Sequence, residues 1–368
     1  MTYSAITAGF VAIFALYVLF LRRRAVGNLV GLPSPSWVFG NMLQLMLPPL
    51  YGDHEFKWQK LYGPVYRLKG CFGQDRLMVS DPAALQYILN SPQFEHEPML
   101  DNKVHLMFGE GSVSAAKGTT HRHLRAALNS FFTATATRNY QPLIEQIAQK
   151  MTEELSLFES ESTDICPLFR TATLGVVSET IFGYATEDLG EEFVANNSQV
   201  MGLASIQSAG HIMADAIGAY LPTWLLNVAI HLPTDCFKVI CRAKYLSNQL
   251  GRQIVRERAH TVRHGLELTD MFGLFVNAQE SEAKKNTISE KELAAQTAII
   301  LIAGQDTTAN TLVFGLLELA RDSEFQQKLR AEVRAARSTR CPMTYDTLPL
   351  LNAFIKVCVF YVEKIQII

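Results

Sequence analysis

The sequence lacks an excess of charge of either sign. It has 33 Lys and Arg against 35 Asp and Glu, for a formal net charge of −2. Nothing in that balance indicates a nucleic-acid partner. Charged residues make up only 18% of the chain and hydrophobic residues 48%, which is too apolar for a disordered protein. The 368 residues suggest about two domains at roughly 150 residues each, although large single domains are common.

The sequence also lacks paired cysteines, internal repeats and low-complexity segments. Its six cysteines are dispersed, and none forms a Cys-x-x-Cys pair. A chain of this length does not need disulfides to fold. We therefore expect reduced thiols in a protein that faces the cytosol.

A long apolar run is present at the N-terminus. Residues 4–21 contain no charge and are followed at once by Arg22–Arg24. As a helix, 18 residues rise about 27 Å, enough to cross most of a bilayer's ~30 Å hydrocarbon layer. A cleaved signal peptide would carry its charge before the apolar run. We expect residues 1–24 to be a membrane anchor with a basic stop and a lumenal N-terminus. A buried core helix is the alternative.

The next segments predict a hinge and a small sheet. Residues 25–41 are rich in proline, which indicates a stiff hinge. Two β-like runs, Pro64–Lys69 and Arg76–Ser80, flank a glycine-containing turn and predict a hairpin. Asp81 and Pro82 then open a helix.

Helical periodicity dominates the remainder, and Asn277–Thr287 is the clearest polar loop. The fold class is therefore mainly α with a small N-terminal β-sheet. The predicted helices cover 120–158, 166–186, 195–219, 234–262, 268–278 and 289–337.

The longest predicted helix begins at Ser289. Ser289 and Glu292 have the spacing of a capping box, and Ile288 and Leu293 that of a hydrophobic staple. Helical residues continue without a break to about Arg321. Apolar residues occupy every face of this helix, which predicts burial on all sides.

The middle of this helix is unexpectedly polar, from Ala303 to Asn310 (AGQDTTAN). Gly304 costs about 1 kcal/mol relative to alanine, and a buried carboxylate without partners costs several kcal/mol more. Such costs are typical of functional sites. Gly304 would let a flat group lie against the backbone, while Asp306 and Thr307 could pass protons. The alternative is a kinked helix whose polar groups bond to neighbouring helices.

The run AGQDTT resembles the oxygen-activation motif of cytochromes P450, Ala/Gly-Gly-x-Asp/Glu-Thr-Thr/Ser. Other family landmarks occur in the family's order: YGPVYRLKG, GTTHRHLR, SEFQQKLRAEVRAA and LPLLNAFIK. The resemblance covers residues 1–356 and is closest to fungal microsomal members. It implies an incomplete cytochrome P450 fold with an N-terminal transmembrane helix in the endoplasmic reticulum membrane, single-pass. It also implies heme b, electrons from NADPH through a reductase, and an apolar organic substrate.

The resemblance assigns roles to individual residues. His121 and Arg125, four apart on one helical face, would point at the heme propionates, for which an arginine fork is suited. A solvated basic helix is the alternative. Asp306 and Thr307 would deliver protons during oxygen activation, and Ala303 and Gly304 would line the distal heme face.

The substrate itself cannot be read from the sequence. In this family, specificity rests on variable segments, here residues 100–115 and 195–225. They show only apolar candidates for a lining: Leu106, Phe108, Met201, Leu203 and Ile212.

The resemblance fails after Lys356. Val357 and Phe360 stand where the family has Glu-x-x-Arg, and the sequence contains no Phe-x-x-Gly-x-Arg-x-Cys-x-Gly loop. We therefore assign no metal ligand and expect 42–356 to be a partial catalytic domain without stable heme or activity. Residues 357–368 are expected to be an aberrant tail, and a translated intron would explain it.

Two kinds of alternative remain open. Cys166, Cys341 or Cys358 could replace the missing ligand, although unligated thiols are the default. The chain could also be a non-catalytic, membrane-tethered fragment that binds lipophiles or reductase, or a misfolding pseudogene product.

Overall fold

The computed structural model describes residues 26–50, 52–129, 132–158, 162–205, 207–264, 272–273, 288–338 and 345–366. Across these ranges the protein is mainly helical with one two-stranded sheet, which confirms the predicted fold class. The predicted anchor, its arginines, the loop Asn277–Thr287 and Cys341 lie outside the described residues. Of the predicted helix 268–278, only Phe272 and Gly273 are described, and both are helical.

The principal elements follow one another in chain order. They are α1 (Met42–Met46), α2 (Glu55–Tyr62), β1 (Val65–Lys69), β2 (Asp75–Val79), α3 (Pro82–Asn90), α4 (Pro98–Phe108), α5 (Gly118–Asn129), α6 (Ala134–Ser156), α7 (Cys166–Val177), α8 (Glu191–Ser205), α9 (Ala209–Gly218), α10 (Thr223–Ala229), α11 (Asp235–Arg263), α12 (Glu290–Ala295), α13 (Thr297–Arg321), α14 (Ser323–Ser338) and α15 (Pro349–Gln366).

The chain folds as two compact units. The described residues of Met1–Leu106 and Gly202–Ile240 form the first unit, and those of Met107–Met201 and Cys241–Ile368 form the second. The predicted functional residues from His121 to Thr307 all lie in the second unit.

The first unit is built on the predicted hairpin. β1 and β2 are antiparallel, with Val65 opposite Val79 and Lys69 opposite Asp75. The inward side chains of β1, Tyr66 and Leu68, are 0% and 2% exposed. Alternation between the two faces of a strand therefore sets the register of the hairpin.

The proline-rich stretch is tied to this hairpin. The amide of Leu32 donates to the carbonyl oxygen of Arg67 at 2.9 Å, and the amide of Asn41 donates to that of Lys69 at 2.7 Å. The side chain of Asn41 accepts from the amide of Lys69 at 2.9 Å. Residues 31–41 are therefore fixed along β1 at both ends of the stretch.

The core of the first unit includes one side chain that the sequence suggested for a substrate lining. Ile212 of α9 is 7% exposed and packs in the same cluster as Met42, Trp58 and Tyr66. The same helix is joined to α4 by an ion pair, with Lys103 Nζ 2.6 Å from Asp215 Oδ2. Ile212 therefore serves the core of its own unit.

The second unit has a larger, all-helical core. It draws buried side chains from six of the helices, among them Leu124, Leu174, Phe193, Ile254, Leu293 and Leu301. After α7 the chain continues as a π-helical turn, Ser178–Phe182. The guanidinium of Arg258 on α11 donates to the carbonyl oxygen of Phe182 at 2.7 Å. A side chain thus satisfies one of the carbonyl groups that a helix end leaves free.

The predicted start of the long helix is confirmed, and the helix runs on to Arg321 with one irregular residue. The amide of Glu292 donates to Ser289 Oγ at 3.3 Å, and the amide of Ser289 donates to Glu292 Oε2 at 2.7 Å. Ile288 and Leu293 are both buried. The irregular residue is Gln296, between α12 and α13, whose backbone stays in the right-handed helical region. The amide of Ile300 donates to its carbonyl oxygen at 3.0 Å, so the helical path continues.

The predicted burial of this helix on all sides is also wrong. Most buried residues of α13 form one stripe at four-residue spacing: Thr297, Leu301, Gln305 and Ala309. On the opposite side Ala303, Thr307 and, at 49%, Phe314 are exposed. Apolar composition on every face did not decide burial, because the described neighbours of α13 pack along one side.

Among the described residues, the segment Glu290–Arg321 alone is long and apolar enough to span a membrane, with a mean hydropathy of 1.2. Asp306, which forms an ion pair with Arg170, and the buried Gln305 lie in the middle of this segment. Charged groups are costly in a bilayer. These groups therefore indicate a helix packed against protein.

Glu332 of α14 caps the start of α15. Its Oε1 accepts from the amide of Leu350 at 2.9 Å and its Oε2 from the amide of Leu351 at 3.0 Å. A carboxylate here satisfies two free helix donors and complements the helix dipole. α15 then runs past Lys356 into the predicted aberrant tail, and Cys358 packs near Gly315 of α13.

We expect Glu332→Ala to lower the free energy of unfolding by about 1–2 kcal/mol, because two helix donors lose their acceptor. Urea unfolding followed by circular dichroism measures it. Glu324→Ala is the matched control on the same helix, because its pair with Lys328 is exposed and contributes only about 0.5 kcal/mol. Equal effects of the two substitutions would contradict the capping role.

Candidate functional site in the central helix

The polar segment of α13 lies against α7. A Cβ atom on Gly304 would stand 2.5 Å from Val177 Cγ2, much closer than van der Waals contact permits. Glycine is therefore required here for the close approach of two helices. The predicted role of Gly304 at a heme face stays a prediction, and its missing side chain points toward α7.

Gln305 joins three helices. It is 4% exposed, and its Oε1 accepts from Asn197 Nδ2 on α8 at 2.5 Å. Its Nε2 donates to the carbonyl oxygen of Arg170 at 3.2 Å. Thr173 Oγ1 donates to the carbonyl oxygen of Gln305 at 3.0 Å. Because Gln305, Asn197 and Thr173 are all buried, these hydrogen bonds fix the rotation of α13 about its axis.

Asp306 is paired with α7. Its Oδ1 lies 3.0 Å from Arg170 Nε, but neither atom has hydrogen-bond alignment, and both are shielded from solvent. Its Oδ2 accepts from Asn310 Nδ2 at 3.3 Å. The side chains of Asp306 and Arg170 are 24% and 38% exposed. The contact is an ion pair whose attraction is partly screened by water.

Ala303 and Thr307 lie on the exposed side of α13. Thr307 Oγ1 donates to the carbonyl oxygen of Ala303 at 2.6 Å, which engages the hydroxyl proton and leaves the oxygen able to accept. Adjacent residues of a helix point about 100° apart. Within the described part of the chain, no hydrogen bond joins Asp306 to Thr307, so the predicted acid and hydroxyl are neighbours in sequence without direct contact.

His121 and Arg125 are exposed on α5, each three residues before a buried leucine, Leu124 and Leu128 respectively. In the described ranges, no side-chain hydrogen bond or ion pair engages either residue. α5 and α13 contribute Leu124 and Leu301 to one core. Among the described residues, both basic candidates are thus available to bind an anionic group.

The described residues fit heme on its oxygen-binding side and at its propionates. A small side chain and a hydroxyl stand exposed on α13, and two unpaired basic side chains on α5 suit carboxylates. Across the described ranges, no group of three or more His, Cys, Asp or Glu could hold a metal ion.

Three of the described cysteines have raised pKa values. Burial raises the pKa of Cys71 and of Cys358. A hydrogen bond with Asp164 raises the pKa of Cys166. An iron ligand needs a thiolate of low pKa. The environments of Cys166 and Cys358 therefore disfavour two of the three alternative ligands; Cys341 lies outside the described residues.

Sequence reasoning missed Arg170 and Asn197. Arg170 is the one charged residue of α7 (CPLFRTATLGVV), and a lone charge in an apolar helix signals a buried partner. Asn197 carried no comparable signal, because an asparagine in a helix is usually solvated.

Comparisons with known proteins agree with this fold. The family model described as Cytochrome P450 matches residues 30–356. Cytochrome P450 monooxygenase 219 of Postia placenta is 26% identical, over 90% of this chain and 64% of its own length. Cytochrome P450 monooxygenase claU of Ampulloclitocybe clavipes is also 26% identical, over 91% and 64%. The chain thus spans about 64% of the length of these two relatives.

A solved structure, retinoic acid bound cyanobacterial CYP120A1, superposes with a TM-score of 0.62 at 22% identity, over 90% of this chain and 67% of that one. This likeness shows the fold. The class is that of mainly helical proteins built around a long central helix with a polar middle. The chain belongs to the cytochrome P450 family, as the sequence resemblance predicted.

We expect Gly304→Ala to destabilise the protein by about 1–3 kcal/mol, because the new methyl group overpacks against a stiff β-branched side chain. Thermal unfolding of the full chain measures it. The double substitution Gly304→Ala with Val177→Ala should recover part of the loss.

Gly202→Ala is the control, because its added Cβ meets no atom within 4 Å. It should stabilise α8 by up to about 1 kcal/mol. Stabilisation by Gly304→Ala as well would show that α7 and α13 do not approach this closely.

Proposed function

We propose that this chain supplies the oxygen-facing wall and the propionate-binding groups of a cytochrome P450 heme site. The single observation that carries the proposal is the division of α13 into two sides. Gln305 and Asp306 are bonded to neighbouring helices, whereas Ala303 and Thr307 face outward beside no described partner element. Family membership makes heme the group that such a face would receive. The activity is insertion of one oxygen atom into an apolar organic substrate.

Each outward residue has a distinct task. The small Ala303 side chain leaves room for a flat ring, and the Thr307 hydroxyl oxygen can accept a hydrogen bond from a proton donor. Gly304 acts on the side of α13 that faces α7, where it sets how closely the two helices lie. His121 and Arg125 bind the propionates. Bound heme supplies the chemistry of oxygen activation.

Asp306 supplies the proton for Thr307 in this proposal. As found, its carboxylate faces Arg170, so a proton can reach the Thr307 side only through a water molecule or after rotation of the Asp306 side chain. Arg170 therefore controls how available the acid is. Loss of the Arg170 charge would release the carboxylate at the cost of a partly buried ion pair.

The remaining parts of the proposal follow the family. Electrons come from NADPH through a reductase, and the residues before the hinge anchor the protein in the endoplasmic reticulum membrane. The expectation that the 368 residues as given lack stable, thiolate-bound heme stays a prediction. The reduced carbon monoxide difference spectrum tests it, because a thiolate-type Soret band would overturn the expected inactivity.

We expect the full chain to bind added hemin in a dissociable manner, and His121→Ala combined with Arg125→Ala to weaken binding at least about tenfold, since charged hydrogen bonds contribute about 1.5–3 kcal/mol. Titration of the Soret absorbance measures both. Arg122→Ala, an exposed arginine of the same helix, is the matched control and should change little.

Two outcomes would contradict this proposal. A wild-type chain without any hemin binding would favour the non-catalytic alternative. Equal weakening by Arg122→Ala would show that general positive charge on α5, and not the paired face of His121 and Arg125, attracts the propionates.

A further inference from the structure

Gln296, at the junction of α12 and α13, is a fully buried polar residue with no assigned role; its exposure is 0%. Its Oε1 accepts from the amide of Val113 at 2.7 Å. Its Nε2 donates to the carbonyl oxygens of Gly111 at 2.9 Å and Glu292 at 2.7 Å. Both amide protons and one acceptor site of this side chain are thus used.

Two of the three partners of Gln296, Gly111 and Val113, belong to the loop 109–117, which leads into α5. One side-chain amide pairs with both a carbonyl oxygen and an N–H of this loop, as a neighbouring strand would. A Cβ atom on Gly111 would lie 3.2 Å from that of Ala295, so the loop passes directly over the helix junction. Ser112, also 0% exposed, donates to the carbonyl oxygen of Gly109 at 3.0 Å. The loop is therefore compact in itself and fixed from outside by Gln296.

The position of this loop decides where α5 begins. Val113 is five residues before Gly118, the first residue of α5, and His121 lies in the first turn of that helix. The later part of α5 is held by Leu124 and Leu128 in the core. The first turn has no buried residue of its own. Its position therefore depends on the loop, and the loop depends on Gln296.

We propose that Gln296 is a positioning residue that sets the distance between His121 and Arg125 on α5 and the outward face of α13. The inference rests on the proposed function, because it assigns these two faces to one cofactor. Gln296 lies immediately before α13, so its one side chain fixes the position of both faces relative to the same residue. Hydrogen bonds of fixed geometry define such a position more sharply than apolar contact does.

The direct test measures that distance. Spin labels carried by non-canonical amino acids at Arg122 and Leu312, both exposed, report the separation of α5 and α13 by double electron–electron resonance in the full chain. Gln296→Met keeps the side-chain size and removes every hydrogen bond. We expect its distance distribution to broaden about twofold, as a locally released segment should.

Two further variants provide an intermediate case and a control. Gln296→Glu keeps an acceptor for Val113 but cannot donate to Gly111 when ionised, so an intermediate width is expected. Thr173→Val is the matched control for lost stability, because it removes a buried hydrogen bond between α7 and α13 and leaves the loop intact. It should keep the wild-type width. Thermal unfolding of each variant confirms that the comparison is made on folded protein.

The outcomes separate this inference from the proposed function. An unchanged distribution in Gln296→Met, or equal broadening in Thr173→Val, would overturn the positioning role. Where wild type binds hemin, Gln296→Met should bind it about tenfold more weakly, and equal affinity would likewise overturn the inference. Absence of hemin binding by wild type counts against the proposed function alone, and the distance measurement then decides the role of Gln296.

Discussion

The close approach of α7 and α13 is the constraint on which the second unit depends. It is possible because position 304 has no side chain, and the neighbouring Gln305 and Asp306 then reach groups on α7 and α8. A larger residue at 304 would separate the helices and leave buried polar groups without hydrogen-bond partners. That loss costs more free energy than the hydrogen bonds contribute when formed. One missing methyl group thus fixes both the separation and the rotation of the central helix.

The polar motif consequently serves structure, and the proposed function adds chemistry to the same run. Under that proposal, the two interpretations offered by the sequence, a functional site and a helix bonded to its neighbours, apply to different residues. Gln305 and Asp306 are bonded inward, and Ala303 and Thr307 face outward. Asp306 connects the two uses, because its ion pair with Arg170 competes with any role as an acid. The free-energy cost of placing glycine and polar residues in this helix is therefore offset by packing against neighbouring helices, without any ligand.

Buried side-chain amides recur as connectors between distant segments. Asn41 ties the proline-rich stretch to β1, Gln305 joins α8 and α7 to α13, and Gln296 joins the loop before α5 to the central helix. An amide offers both a donor and an acceptor without a charge, so it can replace a backbone partner in the interior. Such connectors specify position, whereas the apolar core supplies most of the stability.

The sequence alone determined the local elements and the family. The hairpin from Pro64 to Ser80, the Asp81 cap and the Ser289 capping box follow from turn and cap chemistry among residues close in the chain. The ordered motifs around Gly304 identified a cytochrome P450. The tertiary structure alone decided which distant backbone groups Gln296 meets, that one side of α13 stays exposed, and that Asp306 faces Arg170. Those outcomes depend on partners more than a hundred residues away, and local periodicity carries no information about which side of a helix such partners will cover.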